Sequence, residues 1–363
     1  MRVIERIWRG DDVASRLAAA ALAPLGWSFS AIVAARNALY DHGLARALDG
    51  GIPALSVGNL SVGGTGKTPV AAWAAARLAE SGARPAIVMR GYGRDEPLVH
   101  ARLNPAIPVI ADADRVRGIS AARAAGADCA ILDDAFQHRR ARRVADWVLV
   151  GAEQWRDGQR LLPAGPMREP VGSLARARVV VVTRKTDSIE SAERLARALA
   201  AHVPGGAWAV CHLAPHGLVD VATGAERPLD WLPGRRVLAV AAIGAPGLFF
   251  DQLRALGADI TPVALPDHHA FAGPEAQALA SRGAAFDAVV CTLKDAVKLG
   301  PLWPRAAPAP WYVSQHAVVE RGRPALEATI DAVLAARTAS QPTPGSADPS
   351  HSAHGHRSST ADR

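Results

Sequence analysis

Hydrophobic positions along this chain fall into short unbroken runs separated by alanine-rich stretches. PALSV (53–57) precedes a glycine-rich loop, and a helix is predicted from Val70 to Ser81. AIVM (86–89) leads to RGYGR. IPVIA (107–111) leads to DADR and a helix through Ala125, and CAIL (129–132) ends at Asp133-Asp134. DWVLV (146–150) and VVVVT (179–183) follow. Runs that are apolar at every residue, rather than at alternate residues, predict strands buried on both faces of a parallel sheet. Charged and glycine motifs come just after these strands, where open α/β sheets bind ligands. A second series begins near Trp208, after the proline- and glycine-rich HVPGGAW. It runs through RVLAVAAIG (236–244), a helix over Pro246–Leu256, TPVALPDHH (261–269) and FDAVVCTLKD (286–295). WYVSQHAVVE (311–320) and a helix to about Arg337 close the pattern. From Thr338 onward almost no apolar residue occurs, so a disordered tail is predicted. There His351, His354 and His356 read as solvated rather than metal-binding.

The N-terminus breaks this pattern. Leu17 to Ala35 carries no charge, and its length approaches the roughly 20 residues that cross a bilayer. It is mostly alanine and is interrupted by Pro24, Gly26, Ser28 and Ser30. Arg2, Arg6, Arg9, Arg16, Arg36 and Arg46 flank it, with Trp8 and Trp27. Basic flanks with tryptophan suit a helix lying in a membrane interface. A helix packed on the protein's own core fits the composition equally well. The domains expected are 1–50 (N-terminal helices), 51–206 (phosphate-loop domain), 207–315 (a smaller α/β domain), 316–337 (closing strand and helix, with a return to the first domain open) and 338–363 (tail).

Composition adds two constraints. The 363 residues are 49% hydrophobic, enough for about two domains with sizeable cores. The formal charge of +7 favours an anionic partner without choosing among nucleotide, lipid surface and nucleic acid. Cys129, Cys211 and Cys291 are odd in number and form no CxxC pair, which argues against a zinc ribbon or a disulfide framework and for reduced thiols.

The chemistry starts at VGNLSVGGTGKTP (57–69). Gly63, Gly64 and Gly66 let backbone N–H groups turn toward phosphates, and the following helix adds its dipole. Ser61, Val62 and Thr65 complete the loop. Lys67 is placed to reach the β- and γ-phosphates and Thr68 to bind Mg²⁺. The usual pattern has glycine where this chain has Ser61. Asp133, at the end of an apolar strand, is the expected metal-organising acid. Arg184-Lys185-Thr186-Asp187 is reminiscent of a guanine-reading loop but lacks its asparagine, so it reads as a solvated loop and ATP is the expected nucleotide. The GG-x-GK-T loop also fits a membrane-attached nucleotide-switch ATPase of the ParA/MinD type. Such proteins carry a lysine before the glycine pair, where this chain has Val62.

Longer motifs carry a family resemblance. RNALYDHGL (36–44), VGNLSVGGTGKTP, RGYGR (90–94), Asp114-Arg115, ILDDAFQHR (131–139), RLLPAGPMREP (160–170), LPDHHAF (265–271) and TLKDAVKL (292–299) occur in the order found in tetraacyldisaccharide 4'-kinases. The chain resembles that family up to about residue 320, including the serine at 61. The resemblance implies an α/β fold: a P-loop NTPase-like parallel sheet with helices on both faces, a smaller α/β C-terminal domain on a two-stranded linker, and an N-terminal membrane-interface helix. It implies transfer of the ATP γ-phosphate to the 4'-hydroxyl of a lipid A disaccharide 1-phosphate, giving lipid IVA. The setting it implies is peripheral, on the anionic cytoplasmic face of the inner membrane, with ATP and Mg²⁺ and without nucleic acid. Protein partners stay open.

The same resemblance assigns site residues. Lys67, Thr68, Asp133, Asp134 and His138 carry over, and Arg168 and Glu169 match an REP that faces nucleotide and metal. Thr68, Asp133 and Glu169 are the metal candidates. Asn59, Tyr92, Arg115, Asp134, His138 and Arg168 are expected around substrate or behind the first contacts. The family's catalytic aspartate lies in GDEP and pairs with the histidine of PDH. Here these are Asp95 and His268, and His269 is not the matching position. In the family a further stretch separates RGYGR from GDEP. Here the two are fused as RGYGRDEPL, with Arg94 in place of glycine, so whether Asp95 and Tyr92 hold their places stays open.

Overall fold

The structure, a computed structural model, describes residues 3–9, 12–91 and 95–339. Tyr92 and nearly all of the tail lie outside the described residues. Helices α1 (Val3–Arg9), α2 (Val13–Ala21) and α3 (Ala23–Asp41) come first. Then follow β1 (Ala54–Asn59), α4 (Lys67–Glu80), β2 (Pro85–Met89), α5 (Glu96–Leu103), β3 (Val109–Ala111), α6 (Arg115–Ala124), β4 (Cys129–Asp133), β5 (Ala145–Gly151), β6 (Val179–Arg184) and α7 (Ile189–Ala200). The remainder is β7 (Trp208–Asp220), β8 (Glu226–Arg227), β9 (Arg236–Ala241), α8 (Pro246–Ala255), β10 (Asp259–Ala264), α9 (Gly273–Gly283), β11 (Ala288–Thr292), α10 (Leu293–Leu299), β12 (Trp311–Arg321) and α11 (Arg323–Ala339).

The strands join one 12-stranded sheet in the order β10-β9-β11-β12-β7-β6-β5-β1-β4-β2-β3, with β8 on β7. Strands β1 to β7 pair in parallel, as do β9 to β12, and the two sets meet at the antiparallel β7/β12 pair. The sheet therefore runs unbroken through Trp208, where a boundary is expected from composition. Unbroken apolar runs are buried on both faces: all of β1, β2 and β4 is buried, as are the four valines of β6. Leu326, Ile330 and Val333 of α11 share a core with Leu55, Val57 and Leu78, so α11 packs on the first half of the chain.

The β7/β12 ladder positions the site. β6 pairs with residues 208–212 of β7, whereas β11 pairs with residues 311–313 of β12, opposite residues 218–220 of β7. The two parallel sets thus hang from opposite ends of one ladder, and the carboxyl ends of each open toward the other. Contacts close the gap: Arg102 on α5 donates to the Val221 carbonyl at 2.9 Å, and Lys294 lies 3.9 Å from Glu96.

At the N-terminus, α3 rests on the body through Val33 and Gly26, and Trp8 Nε1 donates to the Pro163 carbonyl at 2.9 Å. The outer face stays apolar and exposed: Val13, Leu17, Leu25, Trp27, Ile32 and Leu39 all face out, with Trp27 73% accessible. Among the described residues no single helix is long and apolar enough to cross a membrane, although α2 and α3 together, bent by 49°, reach that length. All three cysteines are free and buried, and burial pushes the Cys129 and Cys211 thiols up to about 12.

Candidate active site

The loop after β1 is held open by its neighbours. Ser61 bridges to Met167, and Val62 N–H donates to the Pro166 carbonyl at 2.8 Å. Asn59 Nδ2 donates to Thr65 Oγ1 at 3.0 Å, and Thr183 Oγ1 on β6 donates to the Thr65 carbonyl at 2.9 Å. Gly66 sits at φ +76°, where a Cβ would lie 2.4 Å from Leu213 Cδ1, so this turn demands glycine. Gly58 is equally constrained, because a Cβ there would meet the Phe136 backbone N at 2.6 Å. Gly63 turns at φ +119°, and nothing crowds Gly64. No side chain caps α4, whose N-cap is Gly66. The first N–H groups of α4 are therefore left for an anion.

Lys67 begins α4, with Nζ 3.8 Å from Asp134 Oδ1. Burial pushes its pKa down, against the pull of Asp134. Arg168 Nη1 donates to the same Asp134 oxygen at 2.7 Å. Burial alone would raise the Asp134 carboxyl, but Lys67 and Arg168 outweigh it and hold it below the ordinary range. Asp134 takes φ +53°, which turns the chain at the end of β4 and aims two successive acids differently. Asp133 points inward, with Oδ2 3.5 Å from Thr68 Oγ1, and its buried Oδ1 has no hydrogen-bond partner. Arg115 is buried behind it and donates Nη2 to the Asp133 carbonyl at 3.4 Å. His138 is half-buried, and burial followed by the Arg115 charge lowers its pKa.

The second half of the site arrives from across the ladder. Asp95 precedes α5 and is 6% exposed, with Oδ2 unpartnered. His268 follows β10 at φ +59° and brings Nδ1 to 3.8 Å from that oxygen. The adjacent His269 turns away to Glu275 Oε2 at 2.7 Å, so the two histidines of PDHH point to different partners. The fused RGYGRDEPL thus leaves Asp95 beside His268. Glu96 lies near enough to Asp133 for its charge to add to the burial that raises the Glu96 pKa, with Lys294 opposing.

Two expectations need correcting. Glu169, expected beside the metal, is fully buried with both oxygens engaged elsewhere. Oε1 accepts from Arg36 Nη2 at 3.0 Å, and Oε2 accepts from Asn37 Nδ2 at 3.0 Å and Arg176 Nη2 at 2.8 Å. It anchors α3 to the body. Glu169→Ala strands two arginines and is expected to cost about 3 kcal/mol, read as a lower urea midpoint. The 184–187 segment, expected as a solvated loop, is tied down. Arg184 pairs with Glu320 on β12, and Glu153 Oε1 accepts the backbone N–H groups of Thr186 and Asp187 at 2.9 and 3.2 Å, together with that of Lys185.

This arrangement has known counterparts. A family model described as tetraacyldisaccharide-1-P 4'-kinase matches residues 18–335. The chain is 39% identical to a tetraacyldisaccharide 4'-kinase of Anaeromyxobacter sp. (strain Fw109-5), over 92% of this chain and 97% of that one. It is 38% identical to the enzyme of the same name from Halorhodospira halophila, over 80% and 86%. The crystal structure of LpxK from Aquifex aeolicus in complex with ATP aligns with a TM-score of 0.69 at 27% identity, covering 87% of this chain and 99% of that one.

The chain belongs to the tetraacyldisaccharide 4'-kinase family. It is thus a kinase of lipid A biosynthesis, and the nucleotide-switch ATPase alternative is set aside. Two polar residues of this kinase make contacts that the sequence reading did not assign. Asp295 is fully buried and accepts the Ala242 N–H at 3.0 Å and the Thr292 hydroxyl at 2.6 Å, fixing the turn after β9. The T-x-x-D spacing of Thr292 and Asp295 is a capping-box signal that could have located it. His100, fully buried on α5, places Nε2 2.8 Å from Asp133 Oδ2. A lone histidine in a helical stretch gives no such signal.

Proposed function

We propose that this kinase transfers the γ-phosphate of ATP to the 4'-hydroxyl of a lipid-linked glucosamine disaccharide 1-phosphate, forming lipid IVA, with Asp95 as the base. The observation that carries this reading is the 3.8 Å approach of His268 to Asp95 across the two halves of the sheet, with Asp95 Oδ2 otherwise unpartnered. A sugar hydroxyl is a poor nucleophile at neutral pH, and a carboxylate within reach can take its proton as attack develops. The 4'-oxygen forms its bond to the γ-phosphorus as the bond to the bridging oxygen of ADP breaks. The proton passes to Asp95, and His268 orients that carboxylate and can share the proton. The uncapped start of α4, Lys67 and Arg168 stabilise the negative oxygens around the transferring phosphorus.

Mg²⁺ belongs to this reading. Thr68 Oγ1 and Asp133 supply hard oxygen donors of the kind the ion prefers, and the orphaned Asp133 Oδ1 is a ready ligand or a partner for ion-bound water. Mg²⁺ usually takes one or two carboxylates from the protein together with nucleotide phosphates and waters. When bound, it neutralises charge on the β- and γ-oxygens.

The acceptor is a lipid, and the exposed apolar face of α2 and α3 suits docking on the anionic inner surface of the inner membrane. Replacing Leu17 and Trp27 together by serine is expected to weaken binding to phosphatidylglycerol vesicles roughly tenfold or more, measured by flotation. Fold and detergent-phase activity should survive. The functional reading itself is tested by coupling ADP release to acceptor. Purified protein in detergent should release ADP only when the disaccharide 1-phosphate is present. Equal release without acceptor would overturn it.

A further inference from the structure

The His100–Asp133 contact joins two parts of the site that no local motif connects. Asp133 closes β4 and lies beside the phosphate loop. His100 lies five residues beyond Asp95 on the helix that Asp95 begins. Both side chains are buried, His100 completely. An ionised carboxylate only accepts hydrogen bonds, so at 2.8 Å the Nε2 of His100 carries the hydrogen. The bond uses Asp133 Oδ2, the same oxygen that lies 3.5 Å from Thr68 Oγ1. It leaves Oδ1 free, buried and without a partner. The other ring nitrogen, Nδ1, also has no partner, so no second hydrogen bond holds the ring. A fully buried histidine that leaves Nδ1 unpaired is explained by what its other nitrogen does.

We infer that His100 is a positioning residue for the cation site: it fixes the Asp133 carboxylate beside Thr68 while leaving Oδ1 without a protein partner, and it ties α5, and with it Asp95, to the strand that carries the metal acid. This rests on the reading of Asp133 as the cation residue. One bond then sets both the aim of the metal acid and its spacing from the base. Neighbours that orient a metal's ligands typically change metal affinity by about 10–100-fold when removed.

The test compares two amides that differ by one methylene. In His100→Gln the amide nitrogen reaches about as far as Nε2 and can donate to Asp133. In His100→Asn it falls at the Nδ1 position and cannot. Mn²⁺ binding is followed by electron paramagnetic resonance on the full chain with a non-hydrolysable ATP analogue, beside thermal melting and steady-state kinetics. The expected result is Mn²⁺ affinity about tenfold or more weaker in His100→Asn and within about threefold of the parent in His100→Gln. The KM for ATP at saturating Mg²⁺ should change little in either. His100→Leu should follow the asparagine variant if it folds, and the Asn/Gln pair decides the question without it. Equal Mn²⁺ affinity in the asparagine and glutamine variants, whether both strong or both weak, would overturn the positioning role. A parent protein that binds Mn²⁺–analogue no more tightly than analogue alone would instead overturn the Asp133 reading beneath it.

Discussion

Asp95→Asn is expected to lower kcat by roughly 10²- to 10⁴-fold, the usual span for loss of a general base. Asparagine keeps the shape of the side chain and its place before α5, so the melting temperature should hold and the KM for ATP should stay near the parent value. His268→Ala removes the group 3.8 Å away and should cost less, because the carboxylate survives without its neighbour. The double variant should be little worse than Asp95→Asn alone, since groups that act as a unit are not additive. Steady-state kinetics with saturating acceptor reads all three. Full activity in Asp95→Asn would remove Asp95 from the mechanism and leave another acid to be found.

Lys67→Ala is expected to lower kcat/KM for ATP by roughly 10³-fold, comparable to removing a donor from a preorganised anion site. Lysine here supplies a compact charge at the start of an uncapped helix. Arginine would bring a broad planar fork into a loop packed by Leu213 and Gln154, so Lys67→Arg should rescue little. Stability should change only modestly, because Arg168 remains at 2.7 Å from Asp134 when Lys67 is gone. Nucleotide binding by calorimetry and activity by ADP release should fall together. Loss of stability without loss of nucleotide affinity would contradict the assignment.

Much of this architecture is legible in the order of residues because the responsible forces are local. Strands such as VVVV (179–182) are apolar at every position, since both faces of the sheet are covered. The phosphate loop is legible because backbone geometry needs glycine at Gly66 and a point charge at Lys67. The single sheet is not legible at Trp208, where a turn-rich segment suggests a break, because strand pairing across it depends on β6 and β7 meeting in space. Glu169 is misplaced for a similar reason. Its motif brings the residue beside the loop, where its N–H reaches Leu60, but its carboxylate is taken by Arg176 and by Arg36 and Asn37, well over 100 residues earlier in the chain. His100 is invisible for the same cause: its role exists only once α5 lies over the end of β4. The pairing of Asp95 with His268 is suggested by resemblance, and its distance is a property of the closed ladder.

The most direct test is the position of the transferred phosphate. Purified protein, ATP, Mg²⁺ and the disaccharide 1-phosphate should give a product whose proton–phosphorus correlation spectrum places a new monoester on carbon 4 of the non-reducing glucosamine. Asp95→Asn should form that product at a rate lower by roughly two orders of magnitude or more. A phosphate on any other carbon, or ATP hydrolysis with the acceptor unchanged, would contradict the account.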